Sequence, residues 1–363
     1  MKARAKHPIR VVVVDDSTTA RELLVALLQS AEGIQVVGSA ANGEEAVRIV
    51  KRLRPDVVTM DVVMPKMDGL EATRQIMREA PTPIVIVTAT LMRDDIDLAF
   101  EALQVGALTA LRKPGLADPE TCAQVIRAVR LMADVPVVRR WGDRPRTASK
   151  QRMDQPVGSA RPSITQQKSW QQLQLVGIAS STGGPGALAT AFKSLPPDFP
   201  LPILVVQHVT RGFTTGLADW LNGETALQVG LAGHGETPRR GTILLAPDDY
   251  HMRVNGRGVV ELCKEPAYKG LRPAANYLFH SMARSYGPRA LGIVMTGMGD
   301  DGAEGIEALY QAGGITIAQD EQSCVVYGMP REAVIRNAID QILSLDQIAA
   351  VLESLVTKVT LNG

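Results

Sequence analysis

Short apolar runs alternating with amphipathic stretches set the pattern of the chain. In the first third, runs rich in valine and isoleucine fall at Arg10–Val14, Gln35–Ala40, Val57–Met60, Pro83–Thr88 and Ala107–Leu111. Each has strand length, and such near-continuous apolar runs mark strands buried on both faces. Between them the spacing turns helical. Thr18–Gln29 sets Leu23, Leu24, Leu27 and Leu28 on one face, and Gly43–Leu53 does the same with Ala46, Val47, Ile49 and Val50. Strand–helix alternation predicts a parallel sheet covered by helices on both sides. The pattern lapses near residue 133 and returns at Leu175. Strands are predicted at Leu175–Ala179, Ile203–Gln207, Thr242–Ala246, Leu291–Thr296 and Ile315–Ala318, and helices at Ala303–Gln311 and Met329–Asn337. Two α/β units follow, over 8–132 and 171–360, joined by a linker over 133–170. The first reads as a (βα)5 flavodoxin-like domain, the second as a doubly wound, mostly parallel α/β domain.

Composition narrows this picture. A chain of 363 residues has length for two or three domains, and 45% hydrophobic against 21% charged residues suits a folded protein. A net charge of +1 gives no excess for nucleic acid or an anionic membrane, and 4% aromatic residues argue against a base-stacking surface. Cys122, Cys263 and Cys324 lie far apart without metal-ligand spacing, which fits a reduced, cytoplasmic setting. The basic start MKARAKHPIR is followed only by Val11–Val14 before Asp15, too little for a signal-peptide core, and no apolar run reaches a bilayer span. Membrane insertion and nucleic-acid binding are therefore not expected. The 133–170 stretch carries four prolines and eight Lys/Arg against three Asp, as a partly disordered spacer does. A basic tether docking on an acidic partner or on the first domain is its functional reading, and Trp141 offers part of it a residue to pack.

Candidate chemistry gathers at strand ends. In the first domain Asp15 and Asp16 follow the first strand, Asp61 the third, and Lys113 the fifth, while Thr88 closes the fourth. The carboxyl edge of a parallel sheet brings them together. Three carboxylates a few ångströms apart repel by roughly 4 kcal/mol per pair at an effective dielectric of 20. A hard divalent cation such as Mg²⁺ relieves that, and Asp61 can then accept a phosphoryl group, with Lys113 and Thr88 at its oxygens. One aspartate after a strand is ordinarily a helix cap; the ordered set is not explained that way. The motifs VVVDDSTTAR, MDVVMPKMDGL, IVIVTAT and LRKP resemble a two-component response-regulator receiver domain. That resemblance implies Mg²⁺ at Asp15, Asp16 and Asp61, phosphorylation at Asp61 by a histidine kinase, and signalling through Thr88 and Lys113. The aromatic residue usual three positions before the lysine is Ala110 here, so that reporter does not carry over to this chain.

In the second domain LVGIASSTGGPGAL predicts a strand, a glycine turn and a helix start. By itself this suits a phosphate-binding turn with serines as helix caps. Downstream, His208 follows a second strand, and Asp300 and Asp301 follow a later one. A serine hydroxyl needs a base to take its proton, and the base needs an orienting group. Ser181, His208 and Asp301 suit those tasks, with Asp300 competing for the last and His251 and His280 as other bases, while His234 sits in a glycine-rich loop. Backbone N–H groups near Met298 or in the Gly183 turn offer an oxyanion hole. ASSTGGPGAL, VVQHVTRGFT, LLAPDDYHM, VMTGMGDDGAEG and AQDEQSCVVYGMPREA resemble the catalytic domain of the chemotaxis-specific protein-glutamate methylesterase/glutaminase family. The resemblance assigns catalysis to Ser181, His208 and Asp301, with the Met298 backbone at the oxyanion, and implies no cofactor in this domain. It further implies removal of methyl groups from chemoreceptor glutamate esters, deamidation of receptor glutamines, and control by phosphorylation of a receiver that covers the cleft. Departures from the family pattern are Ser180 before the nucleophile, Asp248 in place of glycine, and Ala274 and Asn276 in LRPAANYLF. A non-catalytic receptor-binding module and an unrelated nucleotide-binding fold are the alternatives.

Overall fold

The computed structural model describes residues 7–88, 93–115, 118–133, 135 and 168–360. Most of the 133–170 linker, Trp141 included, lies outside the described residues. The first domain runs β1 (Ile9–Val14), α1 (Thr18–Ser30), β2 (Ile34–Ala40), α2 (Gly43–Leu53), β3 (Val57–Met60), α3 (Gly69–Glu79), β4 (Ile84–Thr88), α4 (Arg93–Gln104), β5 (Thr109–Arg112) and α5 (Pro119–Met132). Its helices begin where short polar side chains cap them: Ser17, Asn42, Asp68 and Asp118 each accept from a backbone N–H in the first turn. The five strands pair in parallel in the order β2-β1-β3-β4-β5. The order reverses between β1 and β3, so the crevice beyond their carboxyl ends is the expected ligand position. Asp15 and Asp61 stand there.

The second domain contains β6 (Leu175–Ser180), α6 (Gly184–Phe192), β7 (Ile203–Gln207), α7 (Thr214–Glu224), β8 (Gln228–Leu231), β9 (Thr242–Leu245), β10 (His251–Val254), β11 (Val260–Cys263), α8 (Ala275–Ser285), β12 (Ala290–Val294), α9 (Ala303–Gln311), β13 (Ile315–Gln319), α10 (Met329–Ile335), β14 (Gln341–Leu343) and α11 (Leu345–Thr360). Seven strands form a parallel sheet ordered β14-β13-β12-β6-β7-β9-β8, and β10 and β11 make a separate antiparallel hairpin. Here the order reverses beside β6, between β12 and β7. The three central strands are buried along their whole length, as their apolar runs require.

The domains share a core. Phe100 projects from α4 into the apolar cluster of the second domain, 1% exposed. Its ring stacks on Trp220 at 5.3 Å and meets Phe213 edge-on at 6.5 Å, both within favourable aromatic range. The helix α4 thereby packs against α6 and α7, and Thr210 Oγ1 donates to the Ala110 carbonyl at 3.4 Å.

Candidate active site

Ser181, His208 and Asp301 each follow a strand at or beside the switch point, and the fold brings them to one crevice. Ser181 is half-buried just past β6. Its N–H donates to Thr296 O at 3.0 Å, and its carbonyl accepts from Gly184 N at 2.8 Å, so the backbone on both sides of the hydroxyl is fixed. The 297–299 turn lies against it: a Cβ on Gly297 would stand 2.7 Å from Ser181 Cβ. Only glycine allows this approach, and it sets the Gly297 backbone, which leads into Met298, against the serine. Thr296 knots these loops together. Its hydroxyl donates to Thr182 O at 2.9 Å and accepts from Val325 N at 3.1 Å and Val326 N at 3.0 Å.

His208 Nε2 lies 2.9 Å from Asp301 Oδ2, with the two side chains 10% and 1% exposed. Asp301 sits at the N-terminus of α8. Its Oδ2 accepts from Ala275 N at 2.6 Å, and its Oδ1 from Asn276 N at 3.1 Å and Gly302 N at 2.9 Å. Burial pushes the carboxyl up, but His208 and the α8 N–H groups outweigh it and hold Asp301 below the usual value. An ionised Asp301 accepts from Nε2–H, which leaves the Nδ1 lone pair of the neutral ring as the basic site. Asp300, its neighbour, turns outward and pairs with Lys269.

The other candidate bases are engaged elsewhere. His251 is fully buried, stacks on Tyr277 at 3.7 Å, accepts from Ala274 N at 3.2 Å on Nδ1, and has Nε2 3.2 Å from Pro266 O. His234 Nδ1 accepts from Leu262 N at 3.2 Å. Burial pushes His280, on α8, below its ordinary value. Sequence analysis reads the segment leading into α8 only for Ala274 and Asn276; what it gives Asp301 is the backbone N–H groups of Ala275 and Asn276, which its letters do not show.

At the first domain's edge, one oxygen each of Asp15, Asp16 and Asp61 lies within 4.8 Å of the others. Lys113 Nζ is 2.6 Å from Asp61 Oδ2 and 2.8 Å from Asp15 Oδ2. Burial pushes the Asp61 carboxyl up to about 6; Lys113 pulls the other way, and the Asp15 charge adds to the rise. Crowded hard oxygen donors with one carboxylate penalised for ionising fit a divalent cation. Thr88, also buried, ends β4, and its carbonyl accepts from Lys113 N at 2.7 Å.

A cavity of about 420 Å³ lies between the Ser181 crevice and the α4–β5–α5 face of the first domain, lined by Ser181, His208 and Arg272 on one side and by Ala110, Arg127 and Met132 on the other. The family model of the CheB methylesterase matches residues 176–352, and that of the response regulator receiver domain matches residues 11–126. A protein-glutamate methylesterase/protein-glutamine glutaminase of Syntrophus aciditrophicus is 44% identical over 354 residues, 97% of this chain and 99% of its own length. One from Myxococcus xanthus is 45% identical over 355 residues, 96% and 97% of the two chains. The chain belongs to the protein-glutamate methylesterase/protein-glutamine glutaminase family. The crystal structure of the Thermotoga maritima CheB methylesterase catalytic domain is 36% identical, covers 50% of this chain and 98% of its own, and superposes with a TM-score of 0.49.

Positions at which this methylesterase-family chain departs from the pattern have visible partners. Asp248 accepts from Gly212 N at 2.8 Å and from Thr214 Oγ1 at 2.5 Å, and so ties the turn before α7 to the loop after β9. Asn276 Oδ1 accepts from Gly305 N at 2.7 Å and ties α8 to α9. Ser180 is fully buried and its hydroxyl donates to Gln207 Oε1 at 2.5 Å, so it is enclosed, whereas Ser181 lines the crevice.

Proposed function

We propose that this chain is a phosphorylation-activated esterase and deamidase acting on chemoreceptors in chemosensory adaptation, in the cytoplasm. The observation that carries the reading is the His208–Asp301 pair, 2.9 Å apart beside Ser181, in a crevice that the receiver covers. Ser181 Oγ attacks the carbonyl of a γ-glutamyl methyl ester as its proton passes to His208 Nδ1. Asp301 stabilises the resulting imidazolium through Nε2. The Met298 N–H holds the oxyanion; one such donor is worth about 3 kcal/mol in the transition state. The imidazolium protonates departing methanol, and water then releases the acyl group by the reverse proton path. A glutamine side chain follows the same course with ammonia leaving. Residues of this domain supply every group needed, without a cofactor.

Control comes from the receiver edge. Asp15, Asp16 and Asp61 fit a Mg²⁺ ion, whose charge would offset that of a phosphoryl group. Asp61 takes the phosphoryl group from a histidine kinase, with Lys113 and Thr88 at its oxygens. The receiver residues Phe100, Ala110 and Arg127 share the cavity with Ser181 and His208, so a receptor helix approaching Ser181 meets the docked receiver face. Phosphorylation is read as weakening that docking, which needs a differential affinity of the two forms. No helix among the described residues is long and apolar enough to cross a membrane.

The test is methanol release from methylated chemoreceptor by wild type and Ser181→Ala, with and without a small phosphodonor plus Mg²⁺. Release by wild type alone, raised by the phosphodonor, is expected. Release surviving Ser181→Ala moves the nucleophile elsewhere, and none from any protein favours a receptor-binding module. Deleting residues 1–170 should raise unphosphorylated activity; no rise removes receiver inhibition from the scheme.

A further inference from the structure

Pairing of β6 with β7 ends at Ser180 opposite Gln207. The last rung runs from His208 N to Ser180 O at 2.9 Å. Beyond it Ser181 N turns to Thr296 O on the other neighbouring strand. The carbonyls of Ser181 and His208 thus leave the ladder side by side; the Gly184 N–H reaches Ser181 O at 2.8 Å, but the ladder itself sets no N–H between the two.

The Gln207 side chain fills that gap. Its Nε2 donates to Ser181 O at 2.7 Å and to His208 O at 2.9 Å. Its Oε1 accepts the Ser180 hydroxyl at 2.5 Å. Gln207 is 3% exposed and Ser180 is fully enclosed, so water does not compete. One orientation satisfies every partner: turned over, the amide oxygen would face two carbonyl oxygens. Close packing locks it further, since a Cβ on Gly184 would lie 1.9 Å from Oε1.

We infer that the Gln207 carboxamide, oriented by the Ser180 hydroxyl, is a positioning device that sets the spacing of nucleophile and base. It ties the backbone of the residue bearing the hydroxyl to that of the residue bearing the imidazole. This rests on the proposed Ser181 chemistry and names residues outside Ser181, His208, Asp301 and the Met298 backbone. Gln207 touches no substrate; it acts through Ser181 and His208. Separating nucleophile from base by about 1 Å costs on the order of 100-fold in rate, whereas substrate contacts elsewhere in the crevice are left in place.

The experiment compares full-length wild type, Gln207→Glu and Ser180→Ala, with phosphodonor and Mg²⁺. Gln207→Glu keeps the shape and removes both N–H donors; Ser180→Ala leaves the amide oxygen without its hydroxyl. Two readouts are taken: kcat and KM for methanol release, and the rate at which a fluorophosphonate attaches to Ser181, located by mass spectrometry. Gln207→Glu should lose about 100-fold in kcat at unchanged KM and slow labelling comparably. Ser180→Ala should lose several-fold in both while staying folded, its unfolding temperature lowered by a few degrees as the enclosed amide oxygen loses its donor. Unchanged labelling and kcat in either folded variant overturns the inference, as does a loss confined to KM. If Gln207→Glu does not fold, Ser180→Ala decides alone. Wild type that labels but releases no methanol defeats the esterase reading while the labelling rates still judge the clamp. Wild type that does not label defeats both.

Discussion

Asp61 and Asp301 stand at corresponding places in the two domains, each beyond the carboxyl end of a parallel strand and each almost enclosed, at 5% and 1% exposure. Burial taxes both carboxylates, yet it prevails only at Asp61, which rises to about 6, while Asp301 is held low. The difference lies in the donors. Asp301 accepts three backbone N–H groups, two of them from the start of α8, besides His208. Asp61 accepts one, from Val62 at 2.8 Å, and shares Lys113 with Asp15. Depth of burial alone does not decide a carboxylate's charge; the number of donors aimed at it does. One edge is completed by protein atoms and is always set. The other is short of donors, a shortage that the charge of the proposed cation would offset.

The comparison is broken most directly at Asp301. Asp301→Asn keeps the shape, removes the charge and turns an NH₂ towards donors. On the proposed mechanism kcat should fall by about 10³- to 10⁴-fold, approaching the loss from Ser181→Ala. Methanol release within tenfold of wild type would mean that an ionised group at this edge is not required.

Phe100 tests how the two edges communicate. Replacing a buried phenylalanine by alanine costs about 3–5 kcal/mol, here drawn from the docking of α4 on α6 and α7. A loss of about 3 kcal/mol multiplies an undocked minority more than 100-fold. Phe100→Ala should therefore raise activity without phosphodonor towards the phosphorylated level. Activity that still needs the phosphodonor would place the inhibitory contact elsewhere on the receiver face.

Much of this was legible in the sequence because buried parallel strands are apolar runs whose ends carry the polar groups. Ser181, His208, Asp61 and Lys113 each follow such a run directly. The rest depended on direction, which letters do not encode. Asp300 and Asp301 are the same residue side by side, and the turn sends one to Lys269 and the other to His208. Phe100 lies on a helix of the first domain but is buried in the apolar cluster of the second, a direction its letter does not carry. The strands β8 and β14 run along the sheet edges with exposed positions, so they lack the continuous apolar signal. The hairpin of β10 and β11 is too short to show an alternation. Met329–Asn337 was expected as a helix, and α10 stops at Ile335, two residues before Asn337 takes a left-handed φ of 54°.

A smaller effect sharpens the receiver side. If Asp61 lacks donors that a cation supplies, Mg²⁺ at tenfold over its Kd should stabilise the receiver by about 1 kcal/mol, a rise of a few degrees in its unfolding temperature. Asp61→Asn should abolish most of that rise and, without Mg²⁺, be at least as stable as wild type. A Mg²⁺ effect unchanged in Asp61→Asn would remove this carboxylate from the ion's ligands.

The smallest effect concerns the cradle of Asp301. His251 is held neutral: burial, with Arg272 and Arg253 nearby, lowers its pKa from 6.5 against the pull of the Pro266 carbonyl and Asp301. The unfolded chain binds the proton that the folded chain refuses, so this stability is present above pH 6.5 and is lost as pH falls through the lowered value. By pH 6 the loss is at most about 0.8 kcal/mol. Its consequence is local, because Nδ1 accepts from Ala274 N, next to the Ala275 and Asn276 N–H groups that grip Asp301. A proton on Nδ1 would set two donors against each other and loosen the start of α8. Stability measured between pH 7.5 and 6 should therefore slope less in His251→Gln than in wild type; in both proteins the half-buried His280 adds slope of the same sign and Asp61, raised to about 6, adds slope of the opposite sign. An identical slope in both proteins would mean that His251 takes up its proton within the fold, and that the Asp301 cradle tolerates it.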